Sequence, residues 1–123
     1  MELKLIDFET AKLLKDKGFK LPDSTDYIDM YDFTDKGICN IRIEDQSMHH
    51  VAIIVTQELV KKWLREEHKI LIAILPWKDH QDDVNDPIRF RPMIHRVKTY
   101  EEYDTYEDAL EKALIEALKL IKT

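Results

Sequence analysis

The C-terminal segment carries the pattern that most constrains the fold. Thr105 and Asp108 have the spacing of a helix-capping box, which predicts that a helix begins directly after Thr105. The apolar residues that follow recur at i, i+4, i+7 and i+8, so they gather on one helix face that other parts of the chain must cover. They are Tyr106, Leu110, Ala113, Leu114, Ala117, Leu118 and Ile121. Ile115 falls opposite this face, which leaves it for contact with a partner.

Two earlier segments have the same helical periodicity. Asp7 at the expected cap and Gly18 at the expected left-handed stop predict a helix over about 8–17. Thr56 predicts the cap of another helix, over about 57–68.

The helix over 57–68 contains a tryptophan among basic residues, which raises the question of nucleic-acid binding. Trp63 shares the apolar stripe of this helix with Val60 and Leu64, so the pattern predicts that it packs on the sheet in the core. Over 57–69 four basic residues stand against three acids, a balance of only +1. Nucleic-acid affinity depends on uncompensated positive charge, so we interpret this tryptophan as architectural.

Alternating segments predict a first hairpin. Residues 27–33 and 38–43 pair across a turn at 34–37, in which Gly37 adopts a positive φ. The apolar run at 51–55 is either a short strand or a buried lead-in to the next helix.

A second hairpin is predicted from 70–75 and 88–98. The continuous apolar character of 70–75 predicts a central strand that is covered on both faces and ends before Pro76. In 88–98 the parity of the apolar residues changes at Pro92, which indicates a bulge or an edge strand.

The order of these elements predicts the fold class. Helix, hairpin, helix, hairpin, helix is typical of an α+β two-layer sandwich, here a mainly antiparallel sheet of about four strands with three helices. A chain of 123 residues that is 44% hydrophobic and 36% charged, with only 2 Gly, predicts a single globular domain over 1–123.

Composition argues against several classes of function. The net charge of −6 argues against general nucleic-acid binding, and the longest apolar run is too short to cross a membrane. Residues 1–20 contain Glu2, Asp7 and Glu9 and no unbroken apolar core, so they are unlike a signal peptide and we expect a cytoplasmic protein. A lone Cys39 can form neither an internal disulfide nor a thiolate zinc site.

No pattern in the sequence selects catalytic residues. Two glycines cannot build the loops that cradle phosphates. The acids within 23–35 and 79–86 are candidates for a divalent-ion site, and through it for a metal-dependent enzyme. Apolar residues interrupt the first cluster, however, and no glycine shapes the second. We therefore predict no metal site, no cofactor and no enzyme activity, and interpret both clusters as solvated surface.

The segment 88–98 is basic in an otherwise acidic chain. Arg89 and Arg91 share a strand face, and His95 and Arg96 follow. Guanidinium groups match phosphate and carboxylate oxygens, so these four residues are the candidate site for a nucleotide-like anion. In the other interpretation the arginines pair with aspartates of neighbouring loops, each exposed pair contributing roughly 0–1 kcal/mol.

Three segments carry a resemblance to a known family. DFETAKLLKDKGF, TQELVKKWLREEHKI and YDTYEDALEKALIEALKLI together resemble a family of small uncharacterised proteins found in gut anaerobes and in their phages and prophages. The resemblance covers nearly the whole chain except 23–35 and 78–86. It implies a phage or mobile-element context, and it implies no activity because the family has no assigned catalytic residues.

These observations favour a non-catalytic interaction module that binds a protein partner or associates with itself. The expected contact points are Ile115 and the edge-like strand 88–98. The alternative hypothesis, from a different class, is a small anionic-ligand binding protein that uses Arg89, Arg91, Arg96 and His95.

Overall fold

The computed structural model describes residues 4–94 and 101–122, and its element order confirms the α+β class. Within these ranges β1–β3 form one antiparallel sheet in the order β2-β1-β3, and β4 and β5 form a second sheet. The described chain therefore has five strands in two sheets, where the sequence predicted about four strands in one sheet. The helices are α1 (Phe8–Asp16), α2 (Gln57–His68) and α3 (Tyr106–Leu120), and the strands are β1 (Tyr27–Asp32), β2 (Ile38–Arg42), β3 (Val51–Ile53), β4 (Ile72–Trp77) and β5 (Arg89–Ile94).

α3 lies at the centre of the core and confirms the apolar pattern that predicted it. Every member of its predicted apolar face is buried except Tyr106, which is half-buried. The helix packs against α1, α2, β4 and β5. Ile115, which the pattern leaves for contact with a partner, is half-buried as well.

Side-chain caps fix the starts of two helices as predicted. Thr56 Oγ1 accepts a hydrogen bond from the Leu59 N–H at 3.2 Å, and Thr105 Oγ1 accepts one from the Asp108 N–H at 3.0 Å. α1 begins differently, because the Asp7 side chain stands at the N-cap position without making a capping hydrogen bond. The start of α1 is held by a residue of another helix, described below.

Left-handed residues lie at the end of α1 and in the first hairpin. Gly18 has φ +92° and ends α1 as predicted. In the turn between β1 and β2 the left-handed residue is Lys36, with φ +59°, and not Gly37. The reason is that the Gly37 carbonyl already accepts the Asp32 N–H at 2.8 Å, so Gly37 belongs to the ladder.

Trp63 packs at the edge of the core. Its half-buried ring makes edge contacts with Phe19 and His68, at centroid distances of 5.3 and 4.6 Å. The side chain does lie against the hydrophobic cluster, but its ring partners belong to no strand, so the predicted packing on the sheet is replaced by packing at the edge of the core.

β4 continues through a proline that was expected to end it. The register between β4 and β5 is uninterrupted, so Pro92 marks no bulge and Pro76 lies inside the ladder. Phe90, the partner of Pro76, exchanges both of its backbone hydrogen bonds with Tyr103 at 2.8 Å, on the side away from β4. Pro76 and Pro92 therefore occupy positions where the β4–β5 ladder needs no N–H.

The described residues cover only one face of β4. Ile72 is buried and Ile74 half-buried, whereas Ala73, Leu75 and Trp77 are exposed. The prediction of a central strand covered on both faces is wrong, because β5 is the one strand that pairs with β4 in the described residues. Of the predicted strand 88–98, the part beyond Ile94 lies outside the described residues.

Candidate functional site

An exposed apolar surface lies on the outer side of the β4–β5 hairpin. Alternation along β4 directs every second side chain away from the core, and the register places partner residues of β5 beside them. The four large apolar side chains of this surface are 54, 45, 41 and 49% exposed. They are Leu75, Trp77 and Met93 of the two strands and Leu71 directly before β4, and together with Ala73, Arg89 and Arg91 they make up what we call the hairpin face.

The two arginines of the hairpin face are held by acids from the segment that precedes α3. Arg91 Nη2 lies 2.7 Å from Glu102 Oε1, and its guanidinium group stacks over the Trp77 ring at 4.6 Å from the centroid. Arg89 lies 3.7 Å from Glu102 and 3.6 Å from Asp104. Glu102 therefore bridges both guanidinium groups, and the charges of the cluster balance.

The proposed anion-binding residues are thus only partly brought together in the described structure. Arg89 and Arg91 stand side by side, but their Nε atoms are inaccessible and have no hydrogen-bond partner within the described chain. His95 and Arg96 lie outside the described residues. The pairing interpretation expected the arginines to contact aspartates of neighbouring loops. In the structure their acidic partners are Glu102 and Asp104, which lie in the segment before α3.

Glu102 was not identified from the sequence, although a signal existed. Tyr103 exchanges two backbone hydrogen bonds with Phe90, which places the acids of 101–104 directly beside β5. The signal is a basic strand followed closely in sequence by a run of acids, since a chain that folds back beside the strand brings the two charge groups together. Tyr103 itself is held by Glu101 at 2.5 Å, and burial together with that carboxylate raises the pKa of Tyr103 to about 12.

The acidic loops use their carboxylates to order their own backbones. Asp86 accepts the His80 N–H at 2.8 Å, and Asp32 accepts the Thr34 N–H at the same distance. Among the described residues, no group of three or more His, Cys, Asp or Glu side chains could hold a metal ion.

A buried carboxylate joins the three helices, and sequence analysis did not detect it. Glu111 of α3 accepts hydrogen bonds from the Thr10 hydroxyl, from Gln57 Nε2 at 3.2 Å and from the Asp7 N–H at 3.2 Å. It therefore holds the first turn of α1 through the Asp7 N–H and the Thr10 hydroxyl. Burial raises the pKa of the Glu111 carboxyl, and the hydrogen bonds from Thr10 and Gln57 oppose that rise. All of these contacts are internal, so Glu111 is a structural residue.

An open cleft of about 230 Å³ lies between α1 and the segment before β3. Apolar side chains of Leu14, Phe19 and Ile53 line it, together with Lys15. The Lys15 ammonium donates to three backbone carbonyls, those of residues 46, 48 and 51, and burial lowers its pKa. Because these carbonyls take up its donors, Lys15 ties α1 to the loop and is not presented to a ligand.

Comparison with known proteins leaves the function to be argued from this geometry. No family model, no curated protein and no solved structure matches the chain. Among the described helices, none combines the length and apolar character needed to span a bilayer. The hairpin face is the candidate functional site among the described residues, because the register sets several exposed apolar side chains near one another on it.

Proposed function

We propose that this chain is a non-catalytic interaction module that binds a macromolecular partner through the hairpin face. The observation that carries the proposal is that Leu75, Trp77 and Met93 are exposed on one side of a two-stranded sheet, with the exposed Leu71 directly before β4. Contiguous apolar surface of this kind is typical of protein contacts, and Trp, Met and Arg are enriched in them. The family resemblance supports a phage or mobile-element context.

The alternative, an anionic-ligand site, has less support from the geometry. An incoming phosphate has to compete with Glu102 for Arg91, and with Glu102 and Asp104 for Arg89. The net charge of −6 also repels anions from the chain as a whole. Leu71, Leu75 and Met93 are exposed without such a partner to displace, whereas the Trp77 ring already carries the Arg91 guanidinium group.

A matched pair of variants tests the proposed function. Leu75→Glu places a charge in the middle of the hairpin face, whereas Ile38→Glu makes the same change at a strand position that is 66% exposed on the other sheet. We expect tagged wild-type chain and Ile38→Glu to capture the same proteins from a host lysate, and Leu75→Glu to lose them. Equal capture by all three proteins would contradict the proposal, provided that circular dichroism shows all three to be folded.

A further inference from the structure

We infer that the partner binds as an extended peptide segment, which pairs with the free edge of β4 and adds one strand to the β4–β5 sheet. This inference rests on the proposed function, since the side chains of the added strand lie beside the hairpin face, and it names the conformation of the partner. Strand addition of this kind takes its affinity from main-chain hydrogen bonds and its specificity from alternate side chains.

The backbone of β4 is unpaired on the side away from β5. Phe90 directs both of its backbone hydrogen bonds to Tyr103, so its partner Pro76 turns its own carbonyl outwards. Such positions alternate in an antiparallel pair, and the N–H and C=O groups of Ile72 and Ile74 therefore point the same way. Within the described chain no strand pairs with these groups, and no other backbone group bonds to them. We call the outward backbone groups of Ile72, Ile74 and Pro76 the β4 edge.

The β4 edge lacks most of the features that keep exposed strands from pairing. Edge strands are commonly protected by charged side chains, by bulges or by prolines. Residues 70–77 include no charged residue, and the register between β4 and β5 contains no bulge. Pro76 protects only one position near the end of β4, whereas β2, at the edge of the other sheet, carries Arg42. The first part of β4 can therefore accept another strand.

The position of Pro76 favours a segment of another protein over a second copy of this chain. Antiparallel pairing of two β4 edges about Ile74 sets Pro76 of each copy opposite Ile72 of the other, and proline has no N–H to donate. A second copy thus loses a hydrogen bond at both ends of the pairing, whereas a segment of different sequence loses one only at Pro76. Because the chain carries −6, we expect a segment without net negative charge.

Selection from a peptide library provides the probe for this edge. A phage-displayed library of short random peptides is selected on the immobilised full chain, and the enriched peptides are synthesised. We expect apolar residues at alternate positions, because every second side chain of an added strand lies on the side of Ala73 and Leu75.

Two N-methylated forms of an enriched peptide separate backbone pairing from side-chain contact. One form is methylated on every odd-numbered amide and the other on every even-numbered amide, so each removes the N–H donors from one edge of the peptide strand. We expect one form to bind the wild-type chain at least about tenfold more weakly and the other to bind like the parent peptide. Equal loss or equal retention of binding by the two forms overturns the inference.

A matched pair of variants makes the same test on the chain. Ile74→Pro removes an outward N–H of the β4 edge, whereas Ile74→Ala shortens the same side chain and keeps that N–H. The parent peptide should bind Ile74→Ala within about threefold of the wild type and Ile74→Pro at least about tenfold more weakly, with circular dichroism showing that both variants are folded. If Ile74→Pro does not fold, the methylated peptides decide.

Failure of this inference is distinguishable from failure of the proposed function. Peptides that are lost with Leu75→Glu but retained by folded Ile74→Pro leave the hairpin face as the binding site and overturn strand addition. The reverse result supports strand addition and contradicts the use of the hairpin face. If no peptide is enriched, or if binding is insensitive to both variants, the inference fails, and capture by Leu75→Glu still decides the proposed function. An Ile74 amide that becomes protected from hydrogen exchange when the chain alone is concentrated identifies a second copy as the occupant and also overturns the inference.

Discussion

Replacing Glu111 by Ala should destabilise the fold by about 2–4 kcal/mol, a large share of the stability of a domain of this size. The estimate follows from the donors that lose their acceptor. Thr10 is fully buried and its hydroxyl is left unpaired, at about 1–3 kcal/mol, whereas the N–H of the exposed Asp7 adds only about 1 kcal/mol because water can replace the lost acceptor. Gln57 contributes less, because its Nε2 keeps the Glu107 carbonyl at 3.0 Å.

Urea unfolding followed by circular dichroism measures this loss, and a neighbouring glutamate provides the control. Glu116 lies on the same helix and forms only surface ion pairs with Lys112 and Lys119. Glu116→Ala should therefore change the free energy of unfolding by less than about 1 kcal/mol. If the two alanine variants proved equally stable, Glu111 would not hold α1 to the rest of the molecule.

The conservative variant Glu111→Gln separates the charge from the hydrogen bonds. Because burial raises the carboxyl pKa above its ordinary value of 4.5, the native state holds the proton more tightly than the unfolded state. The stabilisation of the folded state that comes from this raised pKa is then fully present below pH 4.5. It is lost as the pH rises through the pKa that Glu111 has in the native state. The stability of the wild type relative to Glu111→Gln should consequently fall as the pH is raised from about 4 to about 8, and a constant or rising difference would refute this reasoning.

Two further predictions concern the edge of the core and the arginine pair. Trp63→Ala should lower the free energy of unfolding by about 2–3 kcal/mol, less than the loss of a fully buried tryptophan, because the ring is only half-buried against Phe19 and His68; denaturant titration checks this, and complete unfolding of the variant would contradict it. Nucleotides should leave the melting temperature of the wild type unchanged in a thermal-shift panel, because Glu102 occupies Arg91; clear stabilisation by one nucleotide would instead support the anionic-ligand hypothesis.

Local sequence signals predicted the helices well because their causes are local. The caps at Thr56 and Thr105 depend on residues three positions away, and the spacing of apolar residues in α3 sets its buried face. Glu111 and Glu102 could not be placed in this way. Their partners lie on other elements, as with the hydroxyl of Thr10 and the guanidinium group of Arg91, so their roles exist only once the chain is folded.

The error in β4 has a physical cause that bears on function. A strand with apolar residues at both parities is typical of burial on both faces, and the sequence of β4 was interpreted in that way. In the structure, the parity of Ile72 faces the core, while the parity of Leu75 and Trp77 is exposed. Packing within the described chain explains the apolar residues on the side of Ile72. It does not explain why the residues on the side of Leu75 and Trp77 are apolar. Apolar side chains there have a purpose if the surface of another molecule covers them, which is the basis of the proposed function.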